Sequence, residues 1–252
     1  MTRLKRPLGL ALAGAAILAC GVHGLRTMQM ERRLLRAAPD TIPTNSVLFG
    51  FAAGRGAGTF RSSCASCHGL SGKGDTAQGV PDLTDSDWLY GTGTVGDIEK
   101  VVYYGIRSHN PRGWHLAVMP VFAQPVPSPT EKIPPLTPHG LQAVTEYLLS
   151  RGGQPTDRAL AMEGAAIYAS SGGCYDCHTA DAKGDSAIGA PNLTDSIWLY
   201  GDGSRQAIYD SIAYGRQGIC PAWTGRLSAE QMLEVSLYVY SLSHPAAGRQ
   251  QS

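Results

Sequence analysis

The sequence predicts an all-α chain built from two tandem copies of one unit behind an N-terminal segment. Apolar residues recur at helical spacing in both copies, as in Leu141, Val144 and Leu148 and again in Met232, Val235 and Val239. No stretch shows the sustained alternation of a strand. With Cys64 set against Cys174, the chain matches itself without gaps over a long stretch. Two copies make a tandem duplication and not a solenoid. The copies span residues 47–152 and 156–244, near the usual domain size, and residues 1–46 form an anchor or signal segment with a connector. The 31 glycines and 16 prolines among 252 residues suit loop-rich units.

The elements follow in order. Arg3, Lys5 and Arg6 precede an apolar run from Pro7 to Leu25, and Arg26, Arg32 and Arg33 follow it. As a helix the run spans about 28 Å, barely the ~30 Å core of a bilayer. It reads as an uncleaved anchor, as a lipoprotein signal with Cys20 lipidated, or as a cleaved signal. Glu31 to Ser46 reads as a polar connector with Pro39 and Pro43. A helix is expected from Val47 or Leu48 toward Ser63, carrying Phe51, Gly54, Gly58 and Phe60. Its counterpart runs from Arg158 to Ser171 with Leu160, Gly164, Ile167 and Tyr168. The glycines are expected to admit a crossing helix at close range. Short helices follow at Val95–Tyr104 and Ser204–Tyr214. Each copy ends in a capped helix: Thr137 with Pro138 opens Leu141–Ser150, and Ser228 opens Glu230–Leu242. Pro125–Pro135 is an insertion of the first copy, and Arg151–Pro155 is a short linker.

Chemistry enters with Cys64-Ala65-Ser66-Cys67-His68 and Cys174-Tyr175-Asp176-Cys177-His178. This spacing attaches a c-type haem: two thiols bond to the porphyrin, and the adjoining histidine reaches the iron. Thioredoxin-like motifs or zinc half-sites would leave the matching flanks unexplained. Lys73-Gly74-Asp75 faces Lys183-Gly184-Asp185, and Pro81-Asp82-Leu83-Thr84-Asp85-Ser86 faces Pro191-Asn192-Leu193-Thr194-Asp195-Ser196. Trp88-Leu89-Tyr90-Gly91 faces Trp198-Leu199-Tyr200-Gly201, and Tyr104-Gly105 faces Tyr214-Gly215. Two covalently bound haem c groups are therefore expected. Such attachment occurs outside the cytoplasmic membrane, which puts both copies on its periplasmic side. Four of the six cysteines are thereby used, leaving Cys20 and Cys220. A net charge of +1 with 16% charged residues gives no footprint for nucleic acid.

The copies resemble class I cytochromes c. That resemblance implies an axial methionine on a loop ahead of the last helix, often followed by proline. Met119-Pro120 fits it opposite His68, ahead of His109 and His115 in the same loop. In the second copy Cys220 stands at this place, in Gly218-Ile219-Cys220-Pro221-Ala222-Trp223. It is expected as a thiolate ligand opposite His178. An unbound thiol beside a five-coordinate iron, or a disulfide to Cys20, are the alternatives. The resemblance also implies that carbonyls of Pro81 and Pro191 hold the histidine rings. Trp88, Tyr90, Trp198 and Tyr200 are then haem-lining residues, with ordinary aromatic core as the alternative. Arg107 is a propionate partner or a solvated side chain.

More closely, Val80-Pro81-Asp82-Leu83-Thr84-Asp85 and Ala190-Pro191-Asn192-Leu193-Thr194-Asp195, each leading into Trp-Leu-Tyr-Gly, resemble the dihaem subunit of cbb-type haem–copper oxidases. The likeness covers most of residues 48–244. It implies two class I cytochrome c domains passing electrons to redox partners in a membrane oxidase or another respiratory complex, with both irons His/Met. Cys220 departs from that pattern. Three functions stay open. One is a membrane-associated electron carrier in which a lower-potential His178/Cys220 centre feeds His68/Met119. Another is an enzyme oxidising a thiosulfate-like sulfur anion at a His/Cys haem. The third is a haem redox or gas sensor.

Overall fold

The computed structural model describes residues 7–126, 134–170 and 172–245; Arg3, Lys5, Arg6, Ser171 and most of the Pro125–Pro135 insertion lie outside the described residues. The first helix, α1 (Pro7–Leu34), is followed by a 3₁₀ turn at Pro39–Thr44. In α2 (Ser46–Ser63) the Asn45 side chain accepts the Leu48 N–H at the N-terminus. The one-turn α3 (Ala65–His68) holds the first haem motif. Thr94 caps α4 (Val95–Tyr104), and Thr137 caps α5 (Pro138–Arg151), with Pro138 in its first turn. Asp157 caps α6 (Arg158–Tyr168), which stops short of the expected Ser171. The second motif forms α7 (Tyr175–His178), and Ser204 caps α8 (Arg205–Tyr214). A Ser228/Gln231 capping box opens α9 (Ala229–Ser243). Each cap satisfies an amide that the first helical turn leaves unpaired. Among the described residues there is no strand, only isolated bridges.

The packing crosses between the copies. Helix α2 lies against α9, with α4 beside α9, while α5 lies against α6 and α8. One body therefore joins the start of the first copy to the end of the second. The other joins the end of the first to the start of the second. The two sequence copies, 47–152 and 156–244, are not the two packed bodies.

The helix crossings are equivalent. A Cβ on Gly56 would come within 2.0 Å of the Glu234 carbonyl oxygen, and one on Gly164 within 1.9 Å of the Ala143 carbonyl oxygen. One turn on, Phe60 meets Tyr238 and Tyr168 meets Tyr147, each with ring centroids 5.1 Å apart. Gly164 thus does what its spacing suggested. In the first copy the crossing glycine is Gly56, not Gly54 or Gly58, which have nothing within 4 Å of a built Cβ.

The connector is packed rather than loose. Leu34 and Ile42 are almost fully buried with Phe49, Val95 and Leu237, and Asp40 accepts the Gly96 N–H at 2.8 Å. Among the described residues no helix is long and apolar enough to cross a membrane.

Gly56→Ala and Gly164→Ala are each expected to cost about 1–3 kcal/mol through backbone displacement, despite a helix-propensity gain of about 1 kcal/mol. Gly54→Ala and Gly58→Ala are expected to stabilise or to leave stability unchanged; denaturant midpoints of the holoprotein distinguish the pairs. Residues 47–152 produced alone are expected to show no cooperative monomeric unfolding, because α2 and α5 have both lost their partners.

Candidate haem sites

In both motifs the short helix bends two thiols and a histidine onto one side. The His68 and His178 amides bond the Cys64 and Cys174 carbonyls at 3.0 and 2.9 Å. His68 Nδ1 lies 3.2 Å from the Pro81 carbonyl oxygen, and His178 Nδ1 lies 3.0 Å from that of Pro191. With Nδ1–H donating, Nε2 is left for a metal and the ring is fixed in orientation. Burial lowers the pKa of both histidines against the opposing pull of the carbonyl bond, which keeps the imidazole neutral.

The repeated flanks build the carbonyl's position. Gly74 and Gly184 donate to the His68 and His178 carbonyls at 2.9 and 3.0 Å. Both have positive φ, +68° and +78°, and a Cβ on either would strike the Val80 or Ala190 carbonyl oxygen. Only glycine suits both conditions. Asp75 and Val80 exchange amide–carbonyl bonds, as do Asp185 and Ala190. Beyond the proline, Asp82 and Asn192 each accept the amide two residues on, at Thr84 and Thr194 (2.7 and 2.9 Å). The Pro-Asp/Asn-Leu-Thr block is therefore an Asx turn presenting a proline carbonyl to a histidine.

A cavity of about 450 Å³ opens beside Cys174, Cys177 and His178, within the roughly 300–1,000 Å³ range of cofactor sites. Its walls are mainly apolar: Val144, Leu148, Leu193, Trp198 and Ile208 line it. Met119 lines it too and packs on the same core cluster. Tyr90, Arg107, Tyr200 and Arg216 complete the rim. Tyr90 is buried with Arg107 beside it, and among the described residues its hydroxyl has no partner of good hydrogen-bond geometry. A buried hydroxyl beside an arginine fits the carboxylates of a porphyrin, and two thiols with an oriented imidazole fit its vinyl groups and iron. The residues present suit haem c.

The structure places the two loop residues Met119 and Cys220 each beside the other copy's attachment motif. Met119 stands in the cavity of His178, not opposite His68. Cys220 lies near Cys64 and Cys67 and is not among the residues lining the cavity of His178. Two reciprocal ladders cause the exchange. Ile106 and Cys220 trade backbone bonds at 2.8 and 3.0 Å, and Met119 and Arg216 do so at 3.2 and 3.3 Å. All six cysteines are free thiols, with Cys20 exposed, so the disulfide alternative does not occur. Burial pushes Cys64, Cys174 and Cys220 up to about 11 each.

The two tryptophans are placed alike: Trp198 lines the cavity and packs on the core of Val144 and Ile208, and Trp88 packs on the matching core of Phe60, Ile98 and Val239. Tyr90 crosses to Gly189 and Tyr200 crosses to Gly79, each ring filling the space a Cβ would occupy. Beside them Gly91 donates to Ser186 and Gly201 to Thr76. Arg107 is half-buried, its Nε donating to the Gly218 carbonyl and its Nη1 to that of Ala117. Of the rival histidines, His115 is bound to the Asn110 carbonyl at 2.8 Å on the surface. Sequence reasoning missed Arg216, whose guanidinium lies over Tyr200 at 4.4 Å.

An all-helical chain with two haem c attachment motifs, each histidine held by a proline carbonyl, is a dihaem c-type cytochrome. Residues 53–152 match the Cytochrome c family model, and residues 159–239 match that of Cytochrome C oxidase, cbb3-type, subunit III. The Cbb3-type cytochrome c oxidase subunit CcoP of Cereibacter sphaeroides is 36% identical over 214 residues, 84% of this chain and 69% of that one. CcoP of Rhodobacter capsulatus is 38% identical over 221 residues, 84% and 70% of the two chains. FixP of Sinorhizobium medicae is 34% identical over 238 residues, 94% and 74%. The chain belongs to this CcoP/FixP family of cbb3-type oxidase subunits.

Glu146 fixes one wall of the cavity. It accepts from Arg205 on α8 and from the Asp157 N–H ahead of α6. The Arg205 hydrogen bond holds its carboxyl below the ordinary 4.5. A lowered folded pKa means stability that is present above 4.5 and lost as pH falls through the folded value. Glu146→Gln is expected to cost about 1–3 kcal/mol at neutral pH, with the deficit closing in acid; unfolding midpoints against pH measure it.

Proposed function

We propose that this chain is a membrane-associated, periplasmic dihaem electron carrier working within a cbb3-type haem–copper oxidase, as the names of its relatives suggest. The observation that carries the reading is the doubled motif with each histidine oriented on a proline carbonyl. Bound haem c supplies one-electron chemistry at iron. The four motif cysteines fix two such groups to the chain, and the two imidazoles hold the irons. Met119 offers a neutral thioether opposite His178, a ligand that favours the ferrous state. Apolar walls exclude water, which limits the solvent rearrangement accompanying a change of charge. Tyr90, Arg107 and Arg216 take the carboxylate end.

An enzyme for sulfur anions at Cys220 finds less support: Arg216 lies at the cavity of His178 rather than beside Cys220, and Arg226 lies over Trp223 at 4.0 Å. The apolar N-terminal run is read as a retained anchor. Its support is that α1 runs unbroken from Pro7 to Leu34, whose side chain is locked in the core.

The test is haem content with oxidase turnover. Two covalent haems per chain, and loss of cytochrome c oxidation by oxidase lacking this chain, are expected; full turnover without the chain would refute the reading. The full chain is expected to stay with membranes through a high-salt wash, and deletion of residues 1–26 to release it. Met119→Ala is expected to abolish the methionine-type near-infrared band and to let one haem of the two bind carbon monoxide, read by difference spectroscopy.

A further inference from the structure

Met119 and Cys220 occupy equivalent rungs. Each exchanges two backbone hydrogen bonds with the residue that follows Gly215 or Gly105. Three residues later the match continues: Phe122 donates to Ile212 at 3.2 Å, and Trp223 donates to Val102 at 3.0 Å. The two loops therefore approach the two attachment sites in the same manner. One carries a thioether into the cavity of His178. The other carries a thiol to the neighbourhood of Cys64 and Cys67. That thiol is in no disulfide, and among the described residues its hydrogen-bond contact is the Pro221 carbonyl oxygen at 3.8 Å.

We propose that Cys220 is the sixth ligand of the iron held by His68, supplied across the molecule by the other copy. The inference rests on the reading that both motifs carry covalent haem c. On binding, the Cys220 S–H bond breaks, its proton leaves to solvent, and a sulfur lone pair forms the bond to iron; no electron moves in that step. Iron coordination draws out the thiolate that burial alone would keep protonated. A negative ligand favours ferric iron, whereas the Met119 thioether favours ferrous. The centre on Cys64 and Cys67 is then the lower in potential, and electrons run from the first motif to the second. This is the reverse of the order expected from pairing within each copy.

The test is low-temperature EPR with potentiometric titration of the full-length holoprotein, after the haem count. Fewer than two covalent haems would defeat the dihaem reading itself, whatever Cys220 does. With two present, the ferric protein is expected to show one thiolate-type low-spin signal per chain. Cys220→Ala is expected to remove it. Cys220→Met is expected to replace it with a methionine-type signal and to raise that haem's potential. The thiolate signal is expected to survive Cys174→Ser/Cys177→Ser and to vanish in Cys64→Ser/Cys67→Ser. Should either double variant fail to fold, a nitroxide at Ser62→Cys, beside the first motif, makes the same assignment through its faster relaxation. No thiolate signal in a two-haem protein would overturn Cys220 as ligand. A thiolate signal belonging to the haem on Cys174 and Cys177 would overturn the crossed pairing.

Discussion

At two points backbone segments of the two copies cross and exchange hydrogen bonds, and the rest of the structure depends on that exchange. It happens just after Gly105 and Gly215, where Ile106 pairs with Cys220 and Arg216 with Met119. Both glycines have positive φ, and a Cβ on either would strike backbone of the other copy, at the Cys220 carbonyl oxygen (2.4 Å) or that of Met119 (2.6 Å). No side chain fits between the crossing segments. Once they cross there, α5 must pack with α6, and α9 with α2. The body around His178 is then continuous in sequence with its terminal helix placed first, and the body around His68 is closed by the two ends of the chain.

Crossing couples what a tandem arrangement would leave separate. Each helix pair is locked by a glycine against a carbonyl and by an aromatic pair of the kind that contributes about 0.5–1.5 kcal/mol beyond area burial. Tyr90 and Tyr200 then clasp the opposite loops at Gly189 and Gly79. A disturbance at either attachment site therefore reaches the wall of the other through short, packed contacts. Leu34 and Ile42 extend the same interlock toward the N-terminus, because the core they enter contains Leu233 and Leu237 from the far end of the chain.

Much of this was legible in the sequence, and the reason for the rest is physical. The helices were, because Asn45, Thr94, Thr137, Asp157, Ser204 and Ser228 are all side chains that cap. The histidine environments were, through the resemblance to class I cytochromes c, and they could be carried over because Pro81 and Pro191 sit in turns set by local residues. The pairing of halves was not: in a duplicated chain α5 and α9 present equivalent faces, so packing within or across copies satisfies the same pattern. The one hint was the length of chain between α4 and α5, far longer than the usual connection between helices in a bundle and suited to a crossover. Gly56 was missed because three glycines lie at spacing two along α2, and only the crossing helix selects among them.

The two halves differ most where their near-symmetry matters most. In the alignment Arg216 answers to Ile106, and Arg107 to Gln217. Both guanidinium groups lie at the cavity of His178, and the aligned residues Ile106 and Gln217 carry no charge. A positive charge near an iron disfavours its ferric form, as does a neutral thioether in place of a thiolate. With Met119 and Cys220 as the ligands proposed above, the arginines and the axial residues act with the same sign. An asymmetry set twice in one direction is what a one-way path between two otherwise equivalent centres requires.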